Sequence, residues 1–426
     1  MIKRPIECIF EDNFYILNRF FYDFFIHFYS FIIRLASKWN PKARLWVDGR
    51  KHFPVFNSEK KKIWFHCASL GEFEQGRPVL EALKDKFPQY EIVLSFFSPS
   101  GYEIRKNYPL ADHVIYLPID TPKNAQKLIE NINPTLVIWV KYEYWFHYLS
   151  QLKSKNIPVI LISGIFRRSQ PFFKPYGGFW KNILKSFNLI YVQDDTSVQL
   201  LKEIGITNTA ISGDTRFDRV YAIAAENKTL PEIAAFTKND FTVVAGSTWE
   251  ADENLLAPFI QKNNSVKFII APHEISPSNL NRLKATFQNA IFYSEWKKDM
   301  TSSSHVLIID NIGMLSALYK YASVAFIGGG FNKSGIHNTL EAAVYGKPVF
   351  FGPNFKKFAE AAALVEKGAA YSVTSPSEFN KGLALFVQDE HKLLATGKVS
   401  GEFVKSKIGA THIVVNYITE NRLLIN

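Results

Sequence analysis

Cysteine is nearly missing from this chain: Cys8 and Cys67 are the only two in 426 residues. That excludes a disulfide framework and a thiolate-built metal site, and it suits a reducing cytoplasm. No small-residue cleavage site follows the apolar N-terminus, so a removed signal peptide is not expected. Internal repeats and long low-complexity tracts are absent. So is a basic stripe with interleaved aromatics on a recognisable nucleic-acid module, and nucleic acid is not an expected partner. Even the most apolar stretch, residues 14–33 (FYILNRFFYDFFIHFYSFII), is broken by Arg19, Asp23 and His27.

What is present describes a globular protein. The hydrophobic fraction is 47% and the charged fraction 21%, enough apolar material for cores throughout. The chain is too long for one ordinary core and natural for two domains. Its net charge of +11 favours anionic partners such as a phosphorylated lipid or a membrane surface. The segment 14–33 is rich in Phe and Tyr and just long enough to cross a bilayer. Arg34, Lys38, Lys42, Arg44, Arg50 and Lys51 follow it and would hold the remainder in the cytoplasm. Membrane attachment is the expectation, as a spanning anchor or as an in-plane helix. Burial of this helix against the first domain is the alternative.

Apolar runs then alternate with amphipathic stretches. Strands are expected at 62–67, 91–96, 113–117, 135–140, 158–163 and 188–193. After a polar, alanine-rich link the pattern restarts at 241–246, 266–271, 306–309, 323–327 and 348–351. Runs buried on both faces, alternating with helices, predict doubly wound parallel sheets. The expected division is an N-terminal segment 1–40, a Rossmann-like domain over 41–217, a linker at 218–240, and a second Rossmann-like domain over 241–426 ending in a C-terminal helix. Ligands in such sheets bind beyond the carboxyl ends of the strands, so both halves would face a cleft.

The loops at those ends carry the candidate chemistry. In residues 323–354 a short apolar run enters Gly328-Gly329-Gly330, and His337-Asn338-Thr339-Leu340-Glu341 opens a helix that stops at Gly346. Glycines allow close backbone approach, and a helix N-terminus attracts anions. Glu341 suits the hydroxyls of a sugar, so the stretch reads as a nucleotide-sugar pocket; complementing the helix dipole is the plainer reading. Glu72 follows the strand 62–67 and stands where a general base belongs. Ser69-x-x-Glu72 is equally a capping box. Glu143 sits at an equivalent rim. Arg216 suits a phosphate leaving group, or else pairs with Asp214 or Asp218. His273, alone, would ordinarily be a local hydrogen-bonding residue.

Taken together, HCASLGEFEQGRPVLEAL, SPSGYE, YLPIDTP, KYEYW, GDTRFD, AGSTWE, APHE, IDNIGMLSALYKYASVAFIGGG and HNTLEAAVYGKPVFFGPN occur in the order seen in bacterial Kdo (3-deoxy-D-manno-octulosonic acid) transferases. The chain resembles these enzymes of glycosyltransferase family 30 from about residue 20 to about residue 380. The resemblance implies a GT-B fold with an N-terminal membrane-associated helix. It implies CMP-Kdo as donor, a lipid A precursor as acceptor and lipopolysaccharide core biosynthesis as the setting. It also implies inverting transfer without a metal or cofactor, at the cytoplasmic face of the inner membrane. By the same resemblance Glu72 is the base and Glu143 a second functional carboxylate, with Lys141 where the family usually has another. Arg216 stands where the family has lysine. Nucleotide contacts fall on Pro272, His273, Ile312, Gly313, Met314, Asn338, Thr339, Leu340 and Glu341. His273 replaces a common arginine and Met314 a common glutamate. Two other functions fit the architecture: a cytoplasmic nucleotide-sugar epimerase, and a non-catalytic membrane-attached nucleotide-sugar sensor.

Overall fold

The computed structural model describes residues 6–425, with side chains from Leu17 onward. The first three residues of the 14–33 segment therefore lie outside the described side chains. The chain forms two compact units: residues 1–219 with 409–426, and residues 220–408.

The first unit holds a seven-stranded parallel sheet. Its strands are β1 (Lys62–Cys67), β2 (Glu91–Phe96), β3 (His113–Tyr116), β4 (Pro134–Val140), β5 (Val159–Gly164), β6 (Leu189–Val192) and β7 (Thr209–Ile211), in spatial order β3-β2-β1-β4-β5-β6-β7. β1 and β5 are buried along their whole length, as strands covered on both faces must be. Alternate side chains serve the two cores. Trp64, Val137, Trp139 and Leu161 point to one, with Leu128 and Leu149. Ile63, Phe65, Ile138 and Ile160 point to the other, with Val79, Leu83, Val414 and Ile418.

The second unit repeats the plan with β8 (Thr242–Thr248), β9 (Lys267–Pro272), β10 (Ile291–Phe292), β11 (Val306–Ile308), β12 (Val324–Ile327), β13 (Val349–Phe351) and β14 (Ala370–Ser372), in order β10-β11-β9-β8-β12-β13-β14. Both sheets are doubly wound. Strand order reverses between β1 and β4 in one and between β8 and β12 in the other, the places where such sheets bind ligands.

Two boundaries differ from the expected ones. Residues 218–240 are not a bare linker, because they contain most of the helix Thr215–Ala225 and all of the helix Pro231–Thr237. The C-terminal helix Ala410–Glu420 belongs to the first unit, not the second. Its Val414 and Ile418 are fully buried beside Val79 and Leu83. The Asp218 carboxylate accepts hydrogen bonds from the backbone N–H groups of Gly409 (2.6 Å) and Thr411 (2.7 Å), satisfying orphan donors at that helix start.

The N-terminal helix α1 (Ile6–Ala36) is neither fully buried nor free. Tyr22 anchors it: the ring is in the core and its hydroxyl donates to Asp120 Oδ2 at 2.5 Å. Asp23 Oδ1 lies 2.6 Å from His147 Nε2. Phe20, Phe24, Phe25 and Phe31 are exposed by 53–65%. Among the described residues no helix is long and apolar enough to cross a membrane. The helix ends at Ala36, and α2 (Pro41–Asp48) follows, capped by the Asn40 side chain and started by a proline.

Candidate active site

In the first unit the loops after β1 and β4 meet at the point of strand reversal. β1 runs directly into α3 (Leu70–Lys86), and Phe73 of its first turn is fully buried, which fixes Glu72 one residue before it. Gly76 lets α3 lie against β4, since a Cβ there would meet Val140 Cγ2 at 2.8 Å. The capping box does not form reciprocally, because Ser69 makes no side-chain cap. Glu72 Oε2 instead accepts from the Ala68 N–H at 2.5 Å. Burial, reinforced by the charge of Glu143, pushes the Glu72 carboxyl up to about 7. The Ala68 and Ser69 N–H groups and Lys141 oppose that rise.

Glu143 is held from beneath by a chain of hydrogen bonds rooted in the sheet. Trp64 Nε1–H donates to Ser95 Oγ at 2.8 Å, and Ser95 Oγ lies 2.8 Å from His66 Nδ1. His66 Nε2 reaches Glu143 Oε2 at 2.9 Å. With the serine hydroxyl donating to Nδ1, the proton sits on Nε2 and points at the carboxylate. Trp145 Nε1–H adds a second donor to the same oxygen at 2.7 Å, and Trp139 Nε1–H donates to the Glu143 carbonyl. Lys141, between β4 and Glu143, has φ +66°, a left-handed conformation that a lysine adopts only under local constraint.

Arg216 belongs to the same neighbourhood. Burial raises the Tyr142 phenol, and the charges of Arg167, Glu72 and Arg216 all act on it, so Glu72 and Arg216 surround one side chain. The expected ion pair is present. Arg216 Nε and Nη2 donate to Asp214 Oδ2 at 2.9 and 2.7 Å, and the Arg216 backbone N–H to Oδ1 at 2.9 Å.

In the second unit the nucleotide candidates lie in the segments that follow β9, β11 and β12. Pro272 ends β9 and His273 follows it. The His273 ring stacks between Trp249 (centroids 4.5 Å apart) and His337 (4.7 Å). Trp249 Nε1–H donates to His337 Nε2 at 3.3 Å, and burial beside His273 pushes His337 down to about 4. Asn338 Nδ2 donates to Glu341 Oε1 (3.2 Å), while Asn338 Oδ1 accepts from the Leu340 N–H (3.1 Å). Tyr319 links the remaining pieces. Its buried phenol feels the charge of Glu341, and a Cβ on Gly246 would strike its hydroxyl.

Several expectations need correction here. The helix carrying Glu341 is a single turn, Leu340–Ala343, too short to present a dipole of consequence. Gly328 and Gly330 are needed for close approach to Ser247 and Gly352 of the same unit: a Cβ would lie 2.2 Å from the Ser247 carbonyl oxygen and 2.4 Å from the Gly352 nitrogen. Thr339 and Leu340 are wholly buried and Met314 nearly so, so these three shape the site from behind and offer a ligand little surface, whereas Ile312 is 84% exposed. His66, Ser95, Trp249, His337 and the buried Asp252 were not anticipated. Asp252 Oδ2 accepts from the N–H groups of Trp249 (2.9 Å) and Gly329 (2.8 Å), tying the β8 loop to the glycine loop. A polar residue inside an otherwise apolar strand, His66 in KIWFHC, was the available signal for the first of these. Among the described residues no cluster of His, Cys, Asp and Glu could hold a metal.

Residues 40–219 match the family described as 3-deoxy-D-manno-octulosonic-acid transferase (kdotransferase). A 3-deoxy-D-manno-octulosonic acid transferase of Aquifex aeolicus is 29% identical, over 75% of this chain and 84% of its own. One of Rickettsia bellii is 26% identical over 74% and 77%. A bifunctional glycosyltransferase/methyltransferase of Fusobacterium nucleatum is 25% identical over 86% of this chain, which spans 58% of that relative's length. Among solved structures, the UDP-GlcNAc 2-epimerase of Neisseria meningitidis superposes with a TM-score of 0.58 at 14% identity, covering 84% of this chain and 100% of its own. An epimerase of Methanocaldococcus jannaschii gives 0.52 at 16%, over 81% and 98%. At those identities the likeness is one of fold, the twin doubly wound architecture of GT-B proteins. The sequence relatives run through both units and agree with the motif series: residues 40–219 carry the Kdo transferase match, and the chain as a whole is similar to Kdo transferases.

Proposed function

We propose that this protein transfers Kdo from CMP-Kdo to a lipid A precursor of the lipid IVA type, at the cytoplasmic face of a membrane, in lipopolysaccharide synthesis. The observation that carries the reading is Glu72: a half-buried carboxyl pushed up to about 7, at the strand reversal, beside a second carboxylate held by His66 and Trp145. A general base works best when its pKa lies near the working pH. Glu72 takes the proton from the acceptor hydroxyl as the hydroxyl oxygen attacks the anomeric carbon. The bond from that carbon to the CMP phosphate oxygen breaks in the same displacement, which inverts the centre. CMP departs as a phosphate monoester and needs charge stabilisation more than a proton. Arg216 supplies it by sharing its guanidinium between Asp214 and the phosphate. Glu143 offsets the positive charge developing on the sugar.

The second unit binds the nucleotide. The exposed backbone at Ile312–Gly313 and the Asn338–Glu341 pair meet its polar groups, and the face of His273, His337 or Trp249 meets an apolar or aromatic one. The displacement as proposed needs neither a metal nor a cofactor. The exposed aromatic strip of α1, followed by Arg34, Lys38 and Lys42, supports attachment in the plane of an anionic membrane. The epimerase reading has the fold likeness in its favour. One experiment separates the two: incubation with CMP-Kdo, with and without the lipid A precursor, followed by mass spectrometry. A mass gain on the lipid is the expected result. Donor turnover that ignores the lipid, or no product at all, would sink the transferase reading.

A further inference from the structure

α1 is apolar on two sides, and the two sides do not share one cover. Leu17, Phe20, Phe24, Phe31 and Leu35 form an outward strip. Phe21, Phe25, Phe28 and Ile32, at helical spacing on another side, line a groove of about 880 Å³ together with Phe179 and Trp180. The loop Tyr142–Trp145 also lines this groove, Glu143 included. The groove therefore reaches the carboxylate held by His66 and Trp145, while exposed Arg34, Lys38 and Lys42 lie at and just after the C-terminal end of α1.

We propose that this groove takes one acyl chain of the acceptor lipid, so that the chain positions the sugar headgroup at the carboxylates and the basic cluster meets its phosphate. The inference rests on the transferase reading for the identity of the lipid. Three features select an acyl chain of the acceptor over a bilayer lipid. The groove is concave, whereas the outward strip offers bulk lipid a convex face. Its lining includes Glu143, the carboxylate held by His66 and Trp145, so a chain lying in the groove brings its own headgroup beside the candidate site. The exposed Arg34, Lys38 and Lys42 that follow the groove-lining residues of α1 in the chain complement a phosphorylated sugar. Binding of this kind would exploit affinity remote from the reacting atoms to fix the attacking hydroxyl.

The test is photolabelling of the full chain in nonionic detergent. One probe is an acylated glucosamine disaccharide phosphate with a diazirine midway along one chain. The other is phosphatidylethanolamine with the same diazirine. Peptide mass spectrometry should find the first probe on Phe25, Phe28, Phe179 and Trp180 about tenfold more than the second, with both probes alike on Phe20, Phe24 and Phe31. Equal labelling of the groove by both probes, or acceptor label confined to the outward strip, would overturn the proposal. Kdo transfer measured in the same sample keeps the two readings apart. Groove labelling without transfer sinks the transferase reading and leaves the groove; transfer without groove labelling sinks the groove alone.

Discussion

Glu72 illustrates how one side chain can be read two ways until its surroundings are known. As a cap it would be a charged group welcomed by a helix start. In the fold its charged form is instead disfavoured, first by burial and then by Glu143. Two outcomes follow with opposite signs. Glu72→Gln should fold and bind CMP but lose roughly 10²–10⁴-fold in transfer rate, because glutamine accepts no proton near neutrality. The same variant should gain stability relative to the parent as pH rises. A raised folded-state pKa contributes stability fully present below the unfolded value near 4.5 and lost through about 7. Above pH 8 the difference should approach about 3 kcal/mol in urea unfolding. A parent-like rate would return Glu72 to a structural role.

Burial first, and the charge of Glu143 after it, set the pH at which that base works. kcat/KM should fall on the acid side of about pH 7, and Glu143→Gln, by removing a like charge, should move that limb to lower pH. An unmoved limb would mean that some other group titrates. In the second unit, Glu341→Gln should weaken CMP binding by roughly 1–3 kcal/mol if the carboxylate accepts ribose hydroxyls. Calorimetric titration reads this directly, and unchanged affinity in the folded variant removes Glu341 from the pocket.

At the scale of elements, the central strands and the edge strand β3 were legible and the three other edges were not. β1, β2, β4 and β5 are six- or seven-residue apolar runs between turn residues, and their pattern leaves little choice. β7, β10 and β14 have two or three residues each and all lie at sheet edges. Segments that short carry no period, and neighbours rather than composition make them strands. The two carboxylates stood out as candidates because motif and rim position agreed. His66 and the Trp249–His273–His337 stack were missed because they arise from strands adjacent in space but distant in sequence. α1 was half legible: its aromatic content was plain, its docking through Tyr22 was not. Tyr22→Phe should therefore destabilise the first unit by about 1–3 kcal/mol, leaving buried Asp120 short of a donor. Replacing outward Phe20 and Phe24 by serine should change stability little but reduce sedimentation with anionic vesicles. Retained vesicle binding in that double variant would show that the strip is not the contact.

At the scale of the molecule, residues 220–408 are an insertion into the first unit, whose final helix is supplied by the C-terminus. Ending the chain at Ile408 removes fully buried Val414 and Ile418, worth roughly 3–6 kcal/mol together. That is a large part of what an ordinary domain possesses. The truncated protein should have a protease-sensitive first unit and a second unit that still binds CMP. Protection of both units against proteolysis would show that the helix is dispensable.

The same insertion imposes an order of events on the ribosome. α1 emerges first and is free to find a lipid surface long before the sheet behind it is complete. At about 5–20 residues per second, roughly ten to forty seconds of synthesis separate Arg219 from Gly409. Throughout that interval the side of the first sheet that awaits Val414 and Ile418 lacks its last cover, while the inserted unit is made and can close upon itself. The half of the protein that carries Glu72 is thus begun first and finished last, and a nascent chain that stalls late is expected to hold a nucleotide before it can complete the unit that carries the base.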